Sequence, residues 1–167
     1  MQESLTAAKC VEFAMKTEEI GADLYRALAR KFAADLELRE LFEGLSQDEL
    51  QHGELFRALH DRLVPRFPGK TVPAEQRDYL RAMAMDEIFS GDKGLAANVE
   101  AIKNRDDALE RALHLEKATL AYYQAVREVL GPDETLDALI AVEKRHVVKV
   151  MQLLLTGAKF RGLADSF

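Results

Sequence analysis

A single cysteine, Cys10, stands in this chain of 167 residues, and that scarcity excludes several chemistries. A disulfide needs two thiols, and a zinc or iron–sulfur site built on Cys-x-x-Cys pairs needs more. There is no tryptophan, and proline occurs only four times. Runs rich in Ala, Leu, Glu, Lys and Arg fill the space between, a composition that favours helix over strand. Basic charge is not in surplus either. The formal net charge is −6, so no face is expected that would neutralise the phosphates of a nucleic acid. Long hydrophobic runs are also missing. The most apolar late segment, Val147 to Leu155, is short and interrupted by Lys149, so no membrane span is expected. The first residues lack the continuous apolar core of a secretory signal, and a reducing cytoplasm is the expected location.

What is present suits one soluble all-α domain spanning 1–167. Hydrophobic residues make up 48% of the chain and charged residues 31%, and the length allows a sizeable core. Apolar periodicity predicts a first long helix from Ser4 to about Ala33, a turn near Ala34-Asp35, and a second from Leu36 to about Leu63. Pro65, Pro68, Gly69 and Pro73 are expected to end regular helix there. Residues 64–103 then read as a crossover containing a short helix from about Ala74 to Phe89, followed by Gly91 and Gly94. A third long helix is predicted from Arg105 to Leu130. Gly131-Pro132-Asp133 is a stop-and-restart signal with Asp133 as a cap, and a fourth long helix runs to about Ala158.

Charged residues interrupt the apolar stripes of these helices. The fourth long helix has the stripe Leu136, Leu139, Ile140, Val147, Val150 and Leu154, and Glu143 and His146 fall inside it. Residues three apart share a helix face, so the carboxylate and the imidazole lie side by side. The second helix repeats the arrangement, with Glu49 and His52 among Leu45, Phe56, Leu59 and Leu63. In the first helix Glu18 sits among Val11, Ala14, Met15, Ala22, Tyr25, Leu28 and Ala29. A carboxylate aimed into an apolar core is costly unless it is paired or binds a cation.

The chain also repeats itself. Ala14 to Tyr25 can be laid over Ala112 to Tyr123, each segment placing a glutamate seven residues before a tyrosine. Glu49 follows Glu18 by 31 residues and Glu143 follows Glu116 by 27, and each second glutamate begins a Glu-x-x-His. The midpoints of these intervals fall at the predicted turns. Because a helix rises ~1.5 Å per residue, equal arms return each pair to one level. Two such hairpins packed together bring four glutamates and two histidines into one core layer, the di-iron or di-manganese constellation of four-helix bundles. Four carboxylates balance two divalent ions, and oxygen with imidazole ligands suits iron or manganese while tolerating zinc.

The motifs Glu18-x-x-Gly21-x-x-x-Tyr25, Glu49-x-x-His52, Glu116 with Tyr123, and Glu143-Lys144-Arg145-His146 resemble the ferritin-like superfamily, and within it the rubrerythrin branch, over about residues 10–155. The resemblance implies a ferritin-like four-helix bundle binding two iron ions. It implies Glu18 and Glu116 as terminal ligands, Glu49 and Glu143 as carboxylates bridging both metals, and His52 and His146 as one imidazole per metal. Members of the family react a diferrous centre with oxygen or peroxide, so an oxidoreductase is implied. A ferroxidase, or an iron or manganese storage or sensing protein, is the alternative. Thr119 stands where typical rubrerythrins carry a further glutamate, and the sequence holds no four-cysteine rubredoxin segment.

Further expectations follow. Tyr25 and Tyr123 either gate electron or proton transfer beside the metals or fill the core with a partner for each hydroxyl. Cys10 alone cannot build an iron–sulfur relay, and no dinucleotide or flavin fingerprint is present, so electrons would come from a separate, rubredoxin-like protein. The fourth long helix is apolar more than halfway round, which predicts a homodimer or larger assembly. His60 and His114 are expected at the surface, Glu12, Glu54 and Glu100 in solvent, and Cys10 and Thr119 in the core.

Overall fold

The computed structural model describes residues 5–66, 69–85 and 98–164, with side chains to residue 83 in the second stretch and to residue 157 in the third. Five α-helices account for most of them: α1 (Ala7–Lys31), α2 (Leu36–Arg66), α3 (Ala74–Met85), α4 (Arg105–Leu130) and α5 (Glu134–Ala164). A 3₁₀ turn at Val99–Ala101 precedes α4. Among the described residues there is no strand, only an isolated bridge between Thr6 and Thr71. None of the described helices is long and apolar enough to cross a membrane.

Each long helix begins with a short polar side chain that takes up an otherwise unpaired N–H. Thr6 Oγ1 accepts from Lys9 N–H at 3.2 Å, and Asp35 Oδ1 from Leu38 N–H at 3.1 Å. Asn104 Oδ1 accepts from Asp107 N–H at 3.0 Å, and Asp133 Oδ1 from Leu136 N–H at 3.1 Å. Gly131, with φ 84°, ends α4 in a conformation that L side chains rarely adopt.

The order of the helices follows from their contacts. α1 and α2 form one hairpin and α4 and α5 the other. Arg105 Nη1 at the start of α4 donates to Asp35 Oδ2 at 2.6 Å, so α4 begins beside the α1–α2 turn. Arg62, near the end of α2, reaches Asp133 at the α4–α5 turn. The chain therefore runs up, down, down and up, every long helix is antiparallel to its neighbours, and α2 ends and α4 begins at opposite ends of the bundle. Between the two the chain passes the start of α1, where Ala7 N–H donates to Lys70 O and Val72 N–H to Leu5 O, each at 3.0 Å.

Three expected boundaries differ. α1 begins at Ala7 and not at Ser4, because extended Thr6 caps the helix with its side chain. Pro65 lies inside α2 and does not end it. Proline removes one backbone donor, and in the last turn that costs a single helical bond with little helix left to disrupt. α5 continues to Ala164, beyond the expected end near Ala158. The predicted short-helix segment beyond Met85, with Gly91 and Gly94, lies outside the described residues.

The core falls into two apolar clusters. One holds Leu28, Leu38, Phe42, Leu45 and Leu109; the other holds Val11, Phe56, Leu59, Val126, Leu136 and Leu139. Each fully buried side chain of this size contributes about 1.5–3 kcal/mol. α3 joins the second cluster through buried Leu80. On α5, Val148 and Leu155 remain more than half exposed.

Candidate metal centre

Between the two apolar clusters lies a layer of charge. α1 contributes Glu18, α2 Glu49 and His52, α4 Glu116, and α5 Glu143 and His146. All six are buried, and Glu143 has no exposed surface at all. They are there because the apolar stripe on each helix continues through them, so packing the stripe inward carries them inward too.

The structure brings the six together. His52 Nδ1 lies 3.0 Å from Glu49 Oε2, 2.9 Å from Glu143 Oε1 and 3.7 Å from Glu18 Oε2. His146 Nδ1 lies 3.4 Å from Glu116 Oε2 and 3.8 Å from Glu143 Oε2. The imidazole rings face each other with centroids 5.5 Å apart. Two overlapping groups result, Glu18, Glu49, His52 and Glu143, and Glu49, Glu116, Glu143 and His146. Within each, one potential donor atom per residue lies within 4.8 Å of the others. Glu49 and Glu143 belong to both.

Several of these atoms lack the hydrogen bonds that burial demands. Glu143 Oε1 and Oε2, Glu116 Oε2 and His146 Nδ1 are buried without a hydrogen-bond partner. Glu143 Oε1 is close to His52 but out of line for a hydrogen bond. Orphaned buried polar atoms are costly, and here they converge. Carboxylate oxygens and imidazole nitrogens aimed at common points fit divalent cations, so the residues present fit a metal-binding site.

The electrostatics of the chain alone give the same reading. Burial pulls the His52 and His146 imidazoles down, but carboxylates around them prevail. Glu143 and Glu18 hold His52 up at about 9, while Glu116 and Glu143 hold His146 at about 10. Glu143, lying between both rings, is carried against its own burial down to about 2. Glu116 is pushed by burial up to about 7, and Glu49, buried among Glu18, Glu116 and Glu143, rises well above the carboxylate range. The cluster attracts positive charge, which protons supply on the two imidazoles.

The tyrosines cross between the hairpins. Tyr25 of α1 donates its hydroxyl to Glu116 Oε1 of α4, and Tyr123 of α4 donates to Glu18 Oε1 of α1. Both rings are fully buried. Burial and then the nearby carboxylates push both hydroxyls well above the ordinary phenol range, so each keeps its proton and remains a donor.

One contact has no forerunner in the sequence pattern. Asp48 Oδ2 lies 3.1 Å from His146 Nε2, on the side of the ring away from the cluster. Its signal was faint, being only an acidic residue beside Glu49. Two cavities adjoin the layer. One of about 420 Å³ between α1 and α2 is lined by Glu18, Glu49 and Gly53. One of about 550 Å³ between α2 and α5 is lined by Asp48, His52, Val142, Arg145, His146 and Lys149.

The remaining residues lie apart from the layer or at its edge. His114 is exposed, whereas His60 is half-buried with Nε2 3.2 Å from Glu12 Oε1. Glu12, Glu54 and Glu100 are exposed, and Cys10 and Thr119 are buried. Burial raises the Cys10 thiol to about 11, which keeps it protonated and unreactive. The model of the rubrerythrin family matches residues 9–154 of the chain. No curated protein and no solved structure matches it.

Proposed function

The chain belongs to the rubrerythrin family, and from that membership and its buried Glu/His layer we propose a di-iron carboxylate protein acting as an oxidoreductase on peroxide or oxygen. The observation that carries this reading is the pair of four-residue groups sharing Glu49 and Glu143. On this reading Glu18 with His52 would hold one ion and Glu116 with His146 the other, and Glu49 and Glu143, common to both groups, would be shared by the two. A bound ferrous pair supplies two electrons together to the oxidant.

The chain's own residues hold the site in shape. The tyrosine hydroxyls occupy one oxygen of each terminal carboxylate and leave the other oxygen toward the cluster. The apolar clusters on either side keep bulk water from the layer along the bundle axis. Small oxidants would approach through the cavity between α1 and α2, where Gly53 adds no side chain beside Glu18. Cys10 is the one cysteine of these 167 residues, so re-reduction would fall to an electron carrier outside them.

Metal analysis of the purified protein, followed by rapid mixing of its ferrous form with peroxide or oxygen, tests the proposal. The expected result is two iron ions per chain, one fast oxidation, and sustained turnover only with a reduced rubredoxin-type carrier. Thr119, in place of the further glutamate of typical family members, favours a second reading as a ferroxidase or a storage or sensing protein. Absence of repeated turnover with any carrier would select it.

A further inference from the structure

Within the two-ion reading, on which this inference rests, the two ion positions are not equivalent. The hairpin repeat relates Glu49 to Glu143 and His52 to His146. One residue earlier, the same relation pairs Asp48 with Val142, and both side chains line the cavity between α2 and α5. Asp48 Oδ2 lies 3.1 Å from His146 Nε2, while Nδ1 of that ring faces Glu116 and Glu143. His52 turns its own Nδ1 toward the cluster in the same way. The residue related to Asp48 is Val142, which offers no acceptor, and among the described residues no hydrogen bond is made by His52 Nε2.

A carboxylate behind a ligating imidazole holds the proton on the far nitrogen, leaves the near lone pair free for the metal and fixes the ring's direction. The Asp48 side chain is 42% exposed, so solvent screens its charge and orientation is its larger effect. Access differs as well on the α1–α2 side of the layer, whereas the cavity between α2 and α5 reaches both His52 and His146. The cavity between α1 and α2 is lined by Glu18 and Glu49 but not by Glu116. We propose that Asp48 is a positioning residue for His146 and makes the position formed by Glu49, Glu116, Glu143 and His146 the tighter one. That position fills first. The position formed by Glu18, Glu49, His52 and Glu143 fills second and is the one that exchanges with solution.

Titration of the metal-free protein with manganese(II), followed by calorimetry and by equilibrium dialysis with metal analysis, tests the proposal without reference to activity. Two ions per chain are expected, in two steps separated by about 10-fold or more in affinity. Asp48→Ala should weaken the tighter step by about 10–100-fold and leave the other unchanged. Asp48→Asn keeps an acceptor oxygen toward Nε2 and should recover part of the loss. Val142→Asp supplies His52 with the missing carboxylate and should draw the weaker step toward the tighter. A thermal melt of each metal-free variant establishes that it is folded. Two ions bound with equal affinity in the unaltered protein would overturn the inference, as would Asp48→Ala weakening both steps alike. Fewer than two ions bound would overturn the two-ion reading beneath it, and the inference with it.

Discussion

The layer of six charged residues and the apolar clusters on either side of it are made from the same helices by opposite rules. In the clusters, Leu28, Phe42, Leu59 and Leu136 fill space and leave nothing unsatisfied. In the layer, carboxylates that repel one another are held without enough partners. Removing apolar surface from water drives folding, while a buried carboxylate opposes it unless a cation is near. The bundle thus separates its two tasks along its axis. The ends hold it together, and the middle is kept strained toward a cation.

The largest effect should come from the middle. Glu49→Ala and Glu143→Ala should each abolish binding of both ions, whereas Glu18→Ala and Glu116→Ala should mainly weaken one. Metal titration of the four variants checks this, and equal losses would contradict the division into shared and single carboxylates. A cut in an apolar end should do the reverse. Leu59→Ala, at a fully packed position, should cost about 2–5 kcal/mol in denaturant unfolding yet leave the stoichiometry at two ions. Loss of metal in that variant would break the separation.

Proton linkage sharpens the comparison, because the leucines and phenylalanines that fill the ends do not titrate. In the metal-free protein His52 at about 9 and His146 at about 10 lie above the ordinary imidazole value of 6.5. Their contribution to stability is fully present below that ordinary value and is lost as pH rises through about 9 to 10. Glu116, raised to about 7, acts in the same direction over a lower range. Glu143, lowered to about 2, contributes above its ordinary 4.5 and loses that contribution as pH falls toward 2. Denaturant midpoints of the metal-free protein should therefore fall between mildly acidic and alkaline pH. Metal affinity should rise over the same interval as the imidazoles release their protons, and titration in buffers of different ionisation enthalpy would detect that release.

The smallest effect is expected at the seam between middle and ends. Tyr25→Phe or Tyr123→Phe removes one hydroxyl and leaves one buried carboxylate oxygen without its donor, at a cost of about 1–3 kcal/mol. Unchanged melting and unchanged metal affinity in both variants would show that the tyrosines only fill space.

The middle layer was legible in the sequence because Glu18, Glu49, His52, Glu143 and His146 each break an apolar stripe, and Glu116 falls where the internal repeat places the counterpart of Glu18. The levels matched because helix rise is uniform. The ordering of the helices was less accessible, since it depends on contacts such as Arg105 with Asp35, 70 positions apart. Asp48 escaped for a related reason. Its partner His146 is 98 residues away, and Asp48 sits at a half-exposed edge where an acidic side chain breaks no pattern. Pro65 misled because the rule against proline within a helix loses force when so little helix remains.

The crossed tyrosines set the register of the two hairpins against each other. Each bond joins a residue of one hairpin to a residue of the other, and the two point in opposite senses along the α1–α4 seam. Sliding α4 along α1 by one turn, about 5.4 Å, would break both at once. Neither hairpin can then settle into a near-miss alignment that keeps one bond and sacrifices the other. Docking becomes a yes-or-no event, and the four-residue groups exist in full or not at all.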